Sequence, residues 1–232
     1  MKLIRPPLLT ALAAATALTG SIAMLSTDTA QAQARPAAGP ANRSAPATPS
    51  GDLALVQRHL EATRSLTADF SQTDRQGRLQ SGRLTLKQPG RIRFQYAPGV
   101  PLLIVADGSA LTMIDYQVRQ VQRWPVRNSP LAVLIDPGAN LIRYATQGPT
   151  SDAGAISVDV RDPRHPEYGM ISMAFVRDPA GPAGLRLYGW VATDAQRNRT
   201  TVRLSNIRYN VPVEDSAFRW RDPRPAQSGP RR

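Results

Sequence analysis

The chain carries few side chains able to do covalent chemistry. Its histidines are His59 and His165, and it has no cysteine. A nucleophile with its base, or a metal site, needs such groups within reach of one another. His59 falls between residues of helical periodicity and is expected to face solvent. His165 sits in Asp162-Pro163-Arg164-His165-Pro166-Glu167, a turn-like stretch that reads as surface. The carboxylates Asp107, Asp115 and Asp136 stand at turns, where an Asp side chain bonds nearby backbone N–H groups. No Gly-x-Ser-x-Gly, His-Glu-x-x-His, Gly-x-Gly-x-x-Gly or phosphate loop occurs. Nothing in these residues points to an enzyme, a metal or a cofactor. The abundant chemistry is instead apolar side chains at a period of two, which can bury one another or an apolar ligand. Periodicity alone leaves open which of the two they do.

Those side chains belong to a series of short strands. Arg91, Arg93 and Gln95 alternate strictly with Ile92, Phe94 and Tyr96, the mark of a half-buried antiparallel strand. Pro89-Gly90 before it and Asp107-Gly108 after the next apolar run are turn signals. Strands are predicted over 66–71, 79–88, 91–97, 101–106, 110–115, 118–124, 155–161, 169–177, 184–193 and 200–209. A last edge strand is expected over 217–221. Apolar faces are read as Leu84 and Leu86; Leu102, Ile104 and Ala106; Ile171, Met173 and Phe175; and Leu185, Leu187 and Val191. Leu53, Val56 and Leu60 form one stripe of a short helix, for which Ser50 or Asp52 is the expected cap. Ser129 and Pro130 start a second apolar helix holding Leu131, Val133, Leu134 and Ile135, stopped by Asp136-Pro137-Gly138. A further short helix is expected near Asn140 to Tyr144. Many antiparallel strands with a few short helices argue for a curved sheet or open barrel. The helices are too short to stand alone and are expected to cover its mouth.

The 232 residues suffice for one medium domain. Residues 1–34 read as a secretory signal peptide: Lys2 and Arg5, then an apolar run from Leu8 to Leu25, then Ala30-Gln31-Ala32 and Ala32-Gln33-Ala34 as cleavage sites. Residues 35–51 are a Pro/Ala-rich linker expected to be disordered, 52–221 the domain, and 222–232 a flexible tail. The expected location is therefore the periplasm. Without cysteine the chain has no disulfide framework and no site for lipid anchoring. The net charge is +12, carried almost wholly by arginine. The arginines spread along the polar sides of strands, with no zinc-finger spacing or basic helix, so a solvated face is expected and nucleic acid is not.

The stretch from Gly82 to Ala106 also resembles one family. Lys87, Gln88, Pro89, Gly90, Arg91, Ile92, Arg93, Phe94, Gln95 and Tyr96, then Pro98, Val105, Asp107 and Gly108, are similar to the hallmark of the periplasmic outer-membrane lipoprotein carriers of LolA type. Leu66 to Gln72 (Leu-Thr-Ala-Asp-Phe-Ser-Gln), Gly82-Arg83-Leu84, Gln120-Val121 and Ser129-Pro130-Leu131 extend the resemblance over roughly the whole of 52–221. The resemblance implies an unclosed antiparallel half-barrel covered by a helical lid and enclosing a hydrophobic cavity. It implies a non-enzymatic chaperone that carries acylated lipoproteins between the membranes. Its partners would be an inner-membrane ABC transporter that releases them and an outer-membrane receptor that accepts them. A monomer is expected. The family's lining positions fall on Leu60, Phe70, Ile92, Phe94, Ile104, Leu131 and Leu134. Before the hallmark proline the family usually has an arginine that bonds lid-helix carbonyls. Here that place is Gln88, neutral and a weaker donor, with Lys87 and Arg91 as neighbouring cations able to make the lid contact instead. Two alternatives share the fold: a receptor-like protein, disfavoured by the missing cysteine, and a lipid-sensing regulatory domain, which would need a second domain beyond Arg221.

Overall fold

The computed structural model describes residues 51–126, 129, 131–135 and 144–225. The expected leader, the linker to Ser50, Pro130, the helix stop at 136–138, the helix start at Asn140 and the end of the tail lie outside them. Strand follows strand: β1 Ser65–Thr73, β2 Leu79–Lys87, β3 Arg91–Tyr96, β4 Leu102–Asp107, β5 Ala110–Asp115, β6 Gln120–Pro125, β7 Ala145–Gln147, β8 Ala155–Val160, β9 Met170–Arg177, β10 Leu185–Thr193 and β11 Arg199–Tyr209. Helix α1 spans Asp52–Ala62 and α2 spans Ala132–Ile135. The three-residue β7 had no visible signal in the sequence.

All eleven strands form one antiparallel sheet in the order β6-β5-β4-β3-β2-β1-β11-β10-β9-β8-β7. It is a meander whose first and last strands pair with each other, so its two free edges are β6 and β7. The sheet curls into an unclosed half-barrel, with α2 in the connection between those edges. Inward side chains follow the period of two: Leu66, Ala68 and Phe70 of β1 and Ile92, Phe94 and Tyr96 of β3 are buried, while Thr67, Asp69, Ser71, Arg91, Arg93 and Gln95 are not. Together with Val56 and Leu60 of α1 and Val133, Leu134 and Ile135 of α2 they form one apolar cluster. The helices thus cover the concave face.

Three expectations about the elements need correction. The inward face of β10 runs through Leu185, Leu187 and Trp190, not Val191. A register shift between Leu187 and Gly189 against β9 moves the alternation by one residue. Residues 217–221 form no edge strand. Asp215–Phe218 is a 3₁₀ turn, and the segment crosses the outer face over β3 and β4, which are paired on both sides and offer no free edge. Asp52 does not cap α1: the N-cap position is Gly51, without a side-chain bond. Asp52 lies in the first turn, and its Oδ1 accepts from Arg177 of β9 at 2.9 Å.

Candidate functional site

The seven expected lining residues do come together. Leu60, Phe70, Ile92, Phe94 and Leu134 are buried in the apolar cluster, and Ile104 and Leu131 pack against it. An aromatic row crosses the concave face. Phe70 meets Phe94 edge-on at 5.4 Å and Tyr96 at 5.2 Å. Phe94 meets Trp190 edge-on at 6.2 Å. Trp190 was not expected there, because the bulge in β10 hides it from a strict period of two. The hydroxyl of Tyr96 donates to Gln72 Oε1 at 2.9 Å, and burial pushes its pKa up to about 12. Gly82 makes room for the row: a Cβ there would stand 2.8 Å from the Phe70 ring and 2.1 Å from the Gln95 carbonyl.

The roof is held at its helix ends, where the last carbonyls can accept bonds from outside the helix. Gln88 Nε2 donates to the Leu60 carbonyl at 3.0 Å. Thr63 Oγ1 donates to the His59 carbonyl at 2.8 Å and Asn210 Nδ2 to the Ala62 carbonyl at 3.1 Å. The Gly90 N–H donates to the Ile135 carbonyl at 2.6 Å, so one turn, 88–90, bonds the C-terminal ends of both helices. That turn lies against the next: a Cβ on Gly90, whose φ is +77°, would come within 2.7 Å of Gly108 Cα. The separation of Pro-Gly and Asp-Gly in the sequence thus records a contact between two turns. Asp107 fixes the second one, accepting from the Ser109 and Ala110 N–H groups at 2.9 Å.

Lys87 and Arg91 do not reach the lid, contrary to expectation. They alternate with inward-facing Leu86 and Ile92 and so point outward. Lys87 Nζ donates to Asp215 Oδ1 at 2.6 Å and to the Val213 carbonyl at 2.8 Å, and Arg91 bonds the same carboxylate. Arg93 adds a bond to the Arg219 carbonyl at 2.9 Å. These cations hold the C-terminal segment over a second apolar cluster of Leu103, Val105, Ile114 and Phe218 on the outer face. The unbroken apolar run from Leu102 to Ala106 was the available signal that β4 is covered on both faces.

His59 also departs from expectation. It is 1 % exposed, on the inner side of α1. Its Nδ1–H donates to the Pro182 carbonyl at 2.8 Å, which fixes that nitrogen as the protonated one. Phe175 and Tyr209 stand edge-on at 5.3 and 5.4 Å. Burial holds its pKa below 6.5, opposed by the bonds to backbone. His165 lies at the surface as expected, half-buried, stacked on Tyr168 and next to Glu167.

An open antiparallel half-barrel with an apolar concave face, roofed by two short helices pinned at their C-terminal ends, defines a class of proteins with a coverable apolar interior. The chain belongs to the outer membrane lipoprotein carrier protein LolA family, whose pattern matches residues 61–221. An outer-membrane lipoprotein carrier protein of Xanthomonas campestris pv. campestris is 30% identical over 169 residues, covering 68% of this chain and 78% of that one. The carrier protein of Dechloromonas aromatica is 26% identical over 185 residues, covering 75% and 85%. Among solved structures, a LolA superfamily protein from Nitrosomonas europaea is similar with a TM-score of 0.41 and 11% identity, covering 72% of this chain and 96% of that one.

Proposed function

We propose that the protein is a periplasmic chaperone that takes the acyl chains of lipoproteins against its concave face and carries lipoproteins from the inner to the outer membrane. The observation that carries this reading is the roof itself. Short helices bury apolar side chains against an apolar half-barrel, yet are pinned through one turn, a few neutral hydrogen bonds and one ion pair, Asp52–Arg177, at the start of α1. Such a roof can be lifted and its buried surface exchanged for an acyl chain. The exchange is favourable because each buried CH₂ contributes about 0.8 kcal/mol. Affinity must stay moderate, or cargo would not pass on. An ABC transporter in the inner membrane would load the carrier and an outer-membrane receptor unload it, so the carrier needs no nucleotide and no catalytic group of its own. Residues 1–34 would direct export and be removed.

Organic extraction of protein purified from the periplasm, followed by mass spectrometry, should find co-purifying acylated protein. Wild-type protein added to spheroplasts should release lipoproteins, and Phe94→Glu protein should not, because the carboxylate would sit where acyl chains bind. Circular dichroism establishes that the variant is folded. Undiminished release by folded Phe94→Glu protein would remove Phe94 from the site. Absence of acylated cargo from wild type in both assays would remove the carrier role.

A further inference from the structure

The outer face holds a feature that acyl binding does not use. β1 and β11 lose register at one point: Thr67 pairs with Arg208 and Asp69 with Ser205, so Ala68 faces both Asn206 and Ile207. A bulge of this kind re-aims side chains and kinks the strand. Asn206 takes a left-handed conformation with φ 51°, and its Nδ2 donates to Asp69 Oδ2 at 2.8 Å. The bulge forms one wall of an open depression of about 440 Å³ lined by Thr67, Asp69, Arg83, Asn206 and Arg208. Thr67 Oγ1 is buried without a partner, the one such side-chain atom among the described residues. Folded proteins pair their buried hydroxyls, so an orphan facing a depression marks a place where something else completes it.

We propose that this depression binds a phosphate-class oxyanion, with the Thr67 hydroxyl, Arg83 and Arg208 as its donors. The three come from the neighbouring strands β1, β2 and β11 and line the same depression. A tetrahedral oxyanion presents oxygens in three directions and suits that arrangement. Asp69 is the opposing charge. One of its oxygens is taken by Asn206, and the other lies 3.8 Å from Arg83 Nε, beyond hydrogen-bond reach. It therefore orients Asn206 and leaves the Arg83 guanidinium with donors to spare. Arg208 has no ion-pair partner among the described residues. The depression is larger than a bare phosphate and leaves room for the group esterified to it. The same chemistry is offered by free phosphate and by the head group of an anionic phospholipid.

Two arms test the site and separate those sources. In the first, backbone amide resonances of the purified protein are followed while inorganic phosphate is added, with sodium chloride at matched ionic strength as control. Amides of residues 67–69 and 206–208 should shift saturably with phosphate alone. Thr67→Val, close in shape and suited to a strand, should weaken binding about tenfold, as loss of one hydrogen bond to a charged group predicts. Thr67→Ser should restore it, and Arg208→Ala should weaken it as much as Thr67→Val does. In the second arm the protein is sedimented with phosphatidylcholine vesicles with or without phosphatidylglycerol. Recruitment that needs phosphatidylglycerol and is lost in Thr67→Val assigns the site to a lipid head group. Saturable phosphate binding without such recruitment assigns it to free phosphate. Equal shifts with phosphate and chloride, or Thr67→Val protein that binds like wild type, would overturn the proposal and leave the hydroxyl to water.

Discussion

The sheet is covered twice, and the two coverings are held differently. On the concave side α1 and α2 lie over the aromatic row, tied at the start of α1 by the Asp52–Arg177 pair and elsewhere by neutral bonds: Gln88 to the Leu60 carbonyl, Gly90 to the Ile135 carbonyl, and His59 to the Pro182 carbonyl. On the convex side the segment from Val213 to Trp220 lies over Leu103, Val105 and Ile114, tied by Lys87, Arg91 and Arg93. Ties of both sets leave from the single stretch 87–93. Alternation along a strand sorts them: Lys87, Arg91 and Arg93 point out, while the turn at Gln88 and Gly90 serves the helices. Charge-assisted bonds are roughly twice as strong as neutral ones when shielded, though exposure weakens them. The comparison puts three cations on the outer covering and, apart from the Asp52–Arg177 pair at the start of α1, neutral anchors on the roof that a ligand would displace under the proposed function.

The largest expected effect separates the two by size of unfolding unit. Phe218→Ala removes the central apolar anchor of the outer segment and should cost about 3 kcal/mol of global stability, with no rise in binding of a hydrophobic dye by the native protein. Leu134→Ala in α2 should cost about 2–3 kcal/mol, felt mostly as local opening. Amide exchange would speed in α1 and α2, and dye binding would increase while the midpoint of global unfolding moves less. Equal, global effects of the two substitutions would break the distinction.

Acid should release the coverings at different pH values. His59 has its pKa lowered below 6.5, chiefly by burial. The folded state therefore prefers the neutral ring, and the stability this supplies is present above 6.5 and lost as pH falls below it. The groups around the ring include Phe175, Tyr209 and the Pro182 and Leu185 backbone, and none of these carries a negative charge at this pH. Asp215 is held below 3.8, first by its bond to Lys87. Its contribution is present above 3.8 and lost only as pH falls through the folded value. Dye binding followed from pH 8 downward should therefore rise first below 6.5, while proteolytic sensitivity at 212–222 waits for the carboxylate range. His59→Gln should erase the first step and leave the second.

The sheet was largely legible because its inner face needs nothing but a period of two. Ile92, Phe94 and Tyr96 and their alternates land where alternation puts them. What was hidden depended on contacts between distant residues. The bulge that brings Trp190 inward answers to the pairing of β10 with β9. The outer segment reads as a strand from local propensity, but the sheet edge it would have needed is elsewhere. His59 lies in a polar-looking helix, and only the approach of the 182–184 turn makes its position an interior one. At the site the apolar residues were legible and the cations were not, because the resemblance fixed their order in the chain and not the side of the sheet to which each points.

The smallest effect tests the comparison at its narrowest point. Gln88 Nε2 bonds the Leu60 carbonyl in the last turn of α1, where the helix dipole favours a cation. Gln88→Ala removes that bond and should loosen the roof by about 1 kcal/mol. Gln88→Arg should replace it with a charge-assisted bond and tighten the closed state by about 1 kcal/mol. Dye binding should rise in the first variant and fall in the second, with thermal midpoints moving the opposite way by a few degrees. Lys87→Ala supplies the control, since its amine serves the outer segment: it should speed proteolysis near Asp215 and leave dye binding alone. A rise in dye binding with Lys87→Ala and none with Gln88→Ala would put the charged anchor on the roof. Cargo release would report the same balance, because a tighter roof is harder to load. Gln88→Arg protein should accept lipoprotein from spheroplasts more slowly than wild type while holding its empty fold more firmly.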